Sequence, residues 1–236
     1  SIPTPRRRQR RVPRRTAAAG LADDLQFTTL GTGSSAPSKY RNVLSTLIEM
    51  PGDGYVVLDA GESTYFQLAR RYGPGLHGWD GVGVARHLRA FLVWDAAAAE
   101  PRPRHRRRAI GSQLLRDHHM GVARLLLERR KLRPTEPLVL VANNYTRVCL
   151  AEYDALEDLG LRDMHVFDSA SLDWQRGDRT WEAGALARLE RVCTAPVSHR
   201  MGHCYGIVLQ HKHGWKVVVS GDTMPCEALV HSGQSG

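Results

Sequence analysis

Three adjacent residues able to bind metal, Asp117, His118 and His119, stand just before Gly121 in the stretch GSQLLRDHHMG. Carboxylate and imidazole together form a donor set for zinc, or for manganese where carboxylates dominate. The alternative for Asp117 is a helix N-cap, since the helical pattern GVARLLLERRKL follows at once. A second carboxylate, Asp222 in SGDT, closes the apolar run KVVV and so sits at a strand end facing a cleft. His199 and His203, in HRMGHCYG, come just before the strand that precedes that run. A histidine turn and an aspartate turn joined by a hairpin make half of a metal site. Asp59 ends the run VVLDAG. A carboxylate at the end of a buried strand needs partners, and it either caps backbone amides or supports a metal ligand from behind. His211 and His213, in HKHG, are expected at a solvent-exposed hairpin tip, too far along the strand from Asp222 to ligate with it.

The elements that must position these residues read as mixed α/β. LQFTTLGTG, VLSTLIEM and GYVVLDAG are strands broken at glycines. ESTYFQLARRYG has the helical period and stops at Gly73. HLRAFLVW is a further buried strand, and GVARLLLERRKL is a helix. PLVLVANN, YTRVCLAEYDALEDLG and MHVFDS continue as strand, helix and strand. WEAGALARLERVCTA suits either state, and GIVLQHKHGWKVVVSGDT is a hairpin. Strands with interspersed helices give an α/β or layered α+β architecture. GTGSSA nominally matches a dinucleotide-binding turn. That turn must open a helix, which Pro37, Lys39 and Arg41 do not, so a plain tight turn is the better reading.

The chain of 236 residues carries a net charge of +9, and the excess is localised. Arg6, Arg7, Arg8, Arg10, Arg11, Arg14 and Arg15 form one run, and Arg102, Arg104, Arg106, Arg107 and Arg108 form another. Removing these twelve from the 33 basic residues leaves 21 against 24 acidic ones, so the rest of the chain is near neutral. Residues 1–24, rich in Pro, Arg and Ala, are expected to be a disordered basic segment. Residues 95–112 show no strand or helix pattern that reaches a core. No apolar run approaches the roughly 18 residues of a membrane span. Cys149, Cys193, Cys204 and Cys226 contain no C-x-x-C pair and read as reduced thiols of an intracellular protein.

Taken in order, LGTGSSAPSKYRN, LDAGEST, DHHMG and GWKVVVSGDTMPCEALV resemble the tRNase Z endonucleases, which process transfer-RNA 3′ ends, of the metallo-β-lactamase superfamily. The likeness is to the catalytic half of the long eukaryotic form. The most specific element is PSKYRN, Pro37 to Asn42, which fits the family's P-x-K-x-R-N loop. The resemblance implies an α+β fold, the four-layer αββα sandwich, with residues 25–236 as an incomplete, C-terminally shortened domain carrying an atypical basic insertion at about 95–112. It implies two Zn2+ ions and hydrolysis of a phosphodiester that removes the 3′ trailer of precursor tRNA. Asp117 is then a ligand and the general base, His118 a second ligand and Asp222 the bridging carboxylate. His199, with His203 as the alternative, completes the metal set. Lys39, Arg41 and Asn42 touch the RNA, and Asp59 is the buried supporting carboxylate. The implied location is nucleus, mitochondrion or both, with the cytosol as an alternative.

One departure bears on competence. The family motif is H-x-H-x-D-H, and this chain has Gln113 and Leu115 in place of its first two histidines. Leucine cannot ligate zinc, and neutral glutamine is a poor ligand. The departure directly follows the patternless segment, which reads as translated intron or a misjoined exon. The alternative is a genuine insertion in an inactive paralogue. The family's later His-Glu motif and final zinc histidine would fall beyond Gly236.

Overall fold

The computed structural model describes residues 25–34, 36–50, 54–73, 88–92, 97–98, 116–132, 137–176, 189–199, 202–212 and 214–234. Residues 1–24, most of the basic insertion, Gln113 and Leu115 lie outside them.

Two β-sheets face each other. The first is mixed: β1 (Gln26–Gly31), β2 (Ser45–Met50) and β3 (Gly54–Leu58) are antiparallel, and β4 (Leu88–Leu92), β6 (Leu138–Ala142) and β7 (Met164–Asp168) extend it in parallel. In the second, β9 (Gly202–His211) is paired along one edge with β8 (Leu189–His199). Its other edge takes β10 (Lys216–Val219) and then β5 (Ala97–Ala98).

Strand alternation explains the layers. Along β3, Tyr55 and Val57 point to the helical side, while Val56 and Leu58 point between the sheets. β6 repeats this with Leu138, Leu140 and Ala142 on one face and Val139 and Val141 on the other. Every residue of β6 is buried, as a parallel strand covered on both faces requires. Ile207 and Leu209 of β9 and Val192 of β8 close the inter-sheet core. On the helical side, Leu68 and Tyr72 of α1 (Thr64–Tyr72), Val122, Leu125 and Leu126 of α3 (Val122–Lys131) and Leu150 of α4 (Asn144–Asp154) cover the first sheet. α5 (Glu227–Gln234) covers the outer face of the second, where Leu229 packs against Val197 and Cys204. The order helices, sheet, sheet, helix is the four-layer arrangement expected.

Three local readings change. His211 is not at an exposed tip: it is 3% exposed, its ring stacked on Trp215 at 4.5 Å between centroids. The hairpin sets the two residues opposite each other, with the His211 N–H donating to the Trp215 carbonyl at 3.0 Å. His213 lies outside the described residues. Within the supposedly patternless insertion, Ala97–Ala98 pairs with His203 and Gly202. Asp117 lies inside the short helix α2 (Arg116–His119), not at a position preceding a helix.

Candidate metal centre

The site begins where β3 ends. Asp59 adopts φ 53°, a left-handed conformation that aspartate tolerates better than most residues. The Ser45 hydroxyl donates to the Asp59 carbonyl at 2.8 Å and fixes this bend. The bend turns the Asp59 carboxylate inward, where it is 1% exposed and accepts a hydrogen bond from His118 Nδ1 at 2.8 Å. Backbone bonds hold the two segments in register. The Ala60 N–H donates to the His118 carbonyl at 2.7 Å, and the Gly121 N–H donates to the Ala60 carbonyl, also at 2.7 Å. This explains the glycine in DHHMG. A Cβ on Gly121 would run into the Gly61 carbonyl oxygen and lie 2.8 Å from that of Ala60.

The other half comes from the second sheet. After β10 the chain turns at Gly221, φ 60°, and presents Asp222. The next two residues latch onto the end of β8: Thr223 Oγ1 donates to the Ser198 carbonyl at 3.1 Å, and the Met224 N–H donates to the same oxygen at 2.8 Å. Asp222 is thereby held beside His199, and its Oδ2 lies 3.6 Å from His118 Nε2. When Nε2 carries a proton, the His118 ring holds the Asp222 carboxyl below the usual carboxylate range against the opposing effect of partial burial, and His199 adds in the same direction.

The donor chemistry fits a metal ion. An ionised carboxylate only accepts hydrogen bonds, so Asp59 commits the His118 proton to Nδ1 and directs the Nε2 lone pair toward Asp222. A lone pair facing a carboxylate takes a positive charge between them, a proton or a metal. The separation of 3.6 Å is close to the tetrahedral edge of roughly 3.4 Å that zinc bonds of about 2.0–2.2 Å define. A histidine ligand whose far nitrogen is held by a carboxylate is also the usual way such a ligand is oriented.

Among the described residues, no group of three His, Cys, Asp or Glu side chains converges on a metal-binding point. His118 and Asp222 approach each other, and the charge of His199 is felt at Asp222. Asp117 is placed by its backbone in α2 and His203 by its backbone in β9, opposite Ser198, while both side chains lie outside the described residues. Lys39, Arg41 and Asn42 lie on the loop joining β1 to β2. There the Asn42 carbonyl accepts from the N–H groups of Thr32 at 3.0 Å and Gly33 at 2.7 Å. The base of that loop touches the site, because the Gly61 N–H donates to the Leu44 carbonyl at 3.2 Å. Ser45 and Ser198, which help hold Asp59 and Asp222 in place, were missed as site residues because each acts only through contact with a distant segment.

No family model matches the chain. It is 35% identical over 223 residues to the "Zinc phosphodiesterase ELAC protein 2" of Mus musculus, an alignment covering 89% of this chain and 24% of that protein. It is 29% identical over 259 residues to "tRNase Z TRZ3, mitochondrial" of Arabidopsis thaliana, covering 89% of this chain and 27% of that one. The chain thus spans about a quarter of the length of the curated relatives it matches. Among solved structures it superposes on a long-form RNase Z from yeast with TM-score 0.64 at 21% identity, over 86% of this chain and 30% of that one. It also superposes on the metallo-β-lactamase fold protein YhfI from Bacillus subtilis with TM-score 0.53 at 13% identity, over 87% and 66% of the two chains. The chain is homologous to long-form tRNase Z proteins and shares the fold of metallo-β-lactamase-like structures. Among the described residues no helix is long and apolar enough to cross a membrane.

Proposed function

We propose, from this homology, that the chain is the catalytic part of a zinc-dependent phosphodiesterase that removes the 3′ trailer of precursor tRNA, acting in the nucleus, the mitochondrion or both, with the cytosol as the alternative. The observation that carries the reading is His118, held at Nδ1 by buried Asp59 and turned at Nε2 toward Asp222. His118 and Asp222 would hold zinc, with His199 beside them, His203 as its alternative, and Asp117 as a further ligand. Zinc bound there supplies Lewis-acid polarisation of the phosphodiester and lowers the pKa of water. The chain's own residues do the rest. Asp59 keeps His118 in the ligating tautomer, and Asp117 takes up the proton released by the attacking water. Lys39 and Arg41, exposed on their loop, contact phosphates and position the RNA without reading its sequence, with Asn42 at the loop's base.

One observation favours a second reading, a catalytically inactive RNA-binding relic. Gln113 and Leu115 stand where the resembled family has its first two zinc histidines. The test is to load the chain with zinc, count the bound ions and incubate it with precursor tRNA labelled in its 3′ trailer. Two ions and a trailer released at the tRNA 3′ end support the enzyme. One ion or none, with RNA bound but uncut, supports the relic.

A further inference from the structure

We propose that Tyr40 is a stacking platform for an unpaired nucleobase, with Lys39 and Arg41 on the flanking phosphates. The inference rests on the reading of this chain as acting on RNA and specifies which form of RNA the loop takes.

Tyr40 is 84% exposed, far more than a tyrosine serving a core would be. The turn presenting it is nevertheless built. The Ser38 N–H donates to the Arg41 carbonyl at 2.8 Å, and the Ser38 hydroxyl oxygen accepts from the N–H groups of Tyr40 at 3.3 Å and Arg41 at 3.1 Å. Lys39 Nζ lies over the Tyr40 ring at 5.4 Å from its centroid, and most of the ring stays open to solvent. The result is an exposed aromatic ring flanked in the chain by two exposed cations, on a turn fixed by its own hydrogen bonds. Little ordering is then lost on binding.

That combination matches the chemistry of single-stranded nucleic acid, where cations track the backbone and aromatic rings take the bases. In a duplex the base faces are occupied by one another, so only a splayed-out base can lie on Tyr40. Stacking needs a π-face and no particular edge, so the platform tolerates any base. Its place agrees with this role: the loop returns through Leu44 to the Gly61 amide, two residues from Asp59. An RNA strand running over Tyr40 therefore leads toward the candidate metal centre.

The test uses the 236-residue chain, with EDTA present so that no cleavage intervenes. Binding is read by fluorescence anisotropy with labelled single-stranded oligoadenosine and with a blunt RNA duplex. A 2-aminopurine in the single strand reports stacking. Tyr40→Ala is expected to weaken single-strand binding about 5- to 100-fold and to abolish the 2-aminopurine quench. It should leave duplex binding unchanged, and Tyr40→Phe should retain wild-type behaviour throughout. Wild-type chain that binds the single strand while Tyr40→Ala binds it equally well overturns this inference alone. Equal losses for single strand and duplex overturn it too, because the role would then be general support of the loop. Wild-type chain that binds no RNA overturns the proposed function and the platform with it.

Discussion

Asp59 and His118, 59 positions apart in the chain, meet through a 2.8 Å hydrogen bond on a carboxylate that is almost fully buried. Asparagine in place of Asp59 can donate as well as accept and no longer fixes the proton on Nδ1. Asp59→Asn is expected to weaken zinc binding about 10- to 100-fold, as loss of such supporting partners does. Titration against a chromophoric chelator measures this. Undiminished affinity in the variant would remove His118 from the proposed ligand set.

Gly121 tests the backbone frame rather than the donors. Gly121→Ala forces a methyl into the Gly61 carbonyl and should cost about 1–3 kcal/mol of stability, the usual range for overpacking. Urea unfolding gives the value. Met120→Ala, one residue away and half exposed, should stay within about 0.5 kcal/mol of wild type.

Arg130 joins α3 to the segment before β7, donating to Asp158 and, at 3.1 Å, to Asp163. Desolvation acts to raise the Asp158 carboxyl, but the Arg130 hydrogen bond and the Gly160 amide outweigh it and hold its pKa below the ordinary value. A lowered folded pKa gives stability that is present above the ordinary carboxylate value of about 3.9 and is lost as pH falls through the folded one. Wild type should therefore melt slightly above Asp158→Asn at neutral pH, and the difference should vanish on acidification. Molar salt should shrink it as well, because the pair is exposed. A gap that persists at the acid end would mean that Asp158 acts by something other than its charge.

Gln113 and Leu115 offer a gain-of-function test. Gln113→His with Leu115→His rebuilds H-x-H-x-D-H, and the double variant is expected to bind more zinc per chain than wild type by elemental analysis. Unchanged zinc content would show that the segment ahead of α2 cannot deliver side chains to the site.

Most of the framework was legible because its signals are local. The alternation in GYVVL and LVLVA, and the 3.6-residue spacing of Val122, Leu125, Leu126 and Arg129, follow from which faces must be dry. The positions of the carboxylates were legible for a similar reason: Asp59 directly follows one apolar strand, and Asp222 lies on the turn after another. What escaped depends on distant partners. Ala97–Ala98 has no pattern of its own and becomes a strand only because β9 offers an open edge. WEAGALARLERVCTA suits either period, and for its last residues the pairing of β8 along β9 decides for strand. His211 looks exposed beside Lys212 until Trp215 folds over it.

The division of the candidate donors between the two sheets has a mechanical consequence. Asp59 follows β3 of the first sheet and holds His118 of α2 beside it, while the turn carrying Asp222 is latched through Ser198 to the end of β8 in the second sheet, the strand that ends in His199. A cation shared by His118 and Asp222, as proposed, would act as a clasp across the seam. Opening the sandwich and losing the cation would then become one event. Slow amide hydrogen exchange in β3 and β9 should report that event together, with both strands gaining protection at the same zinc concentration.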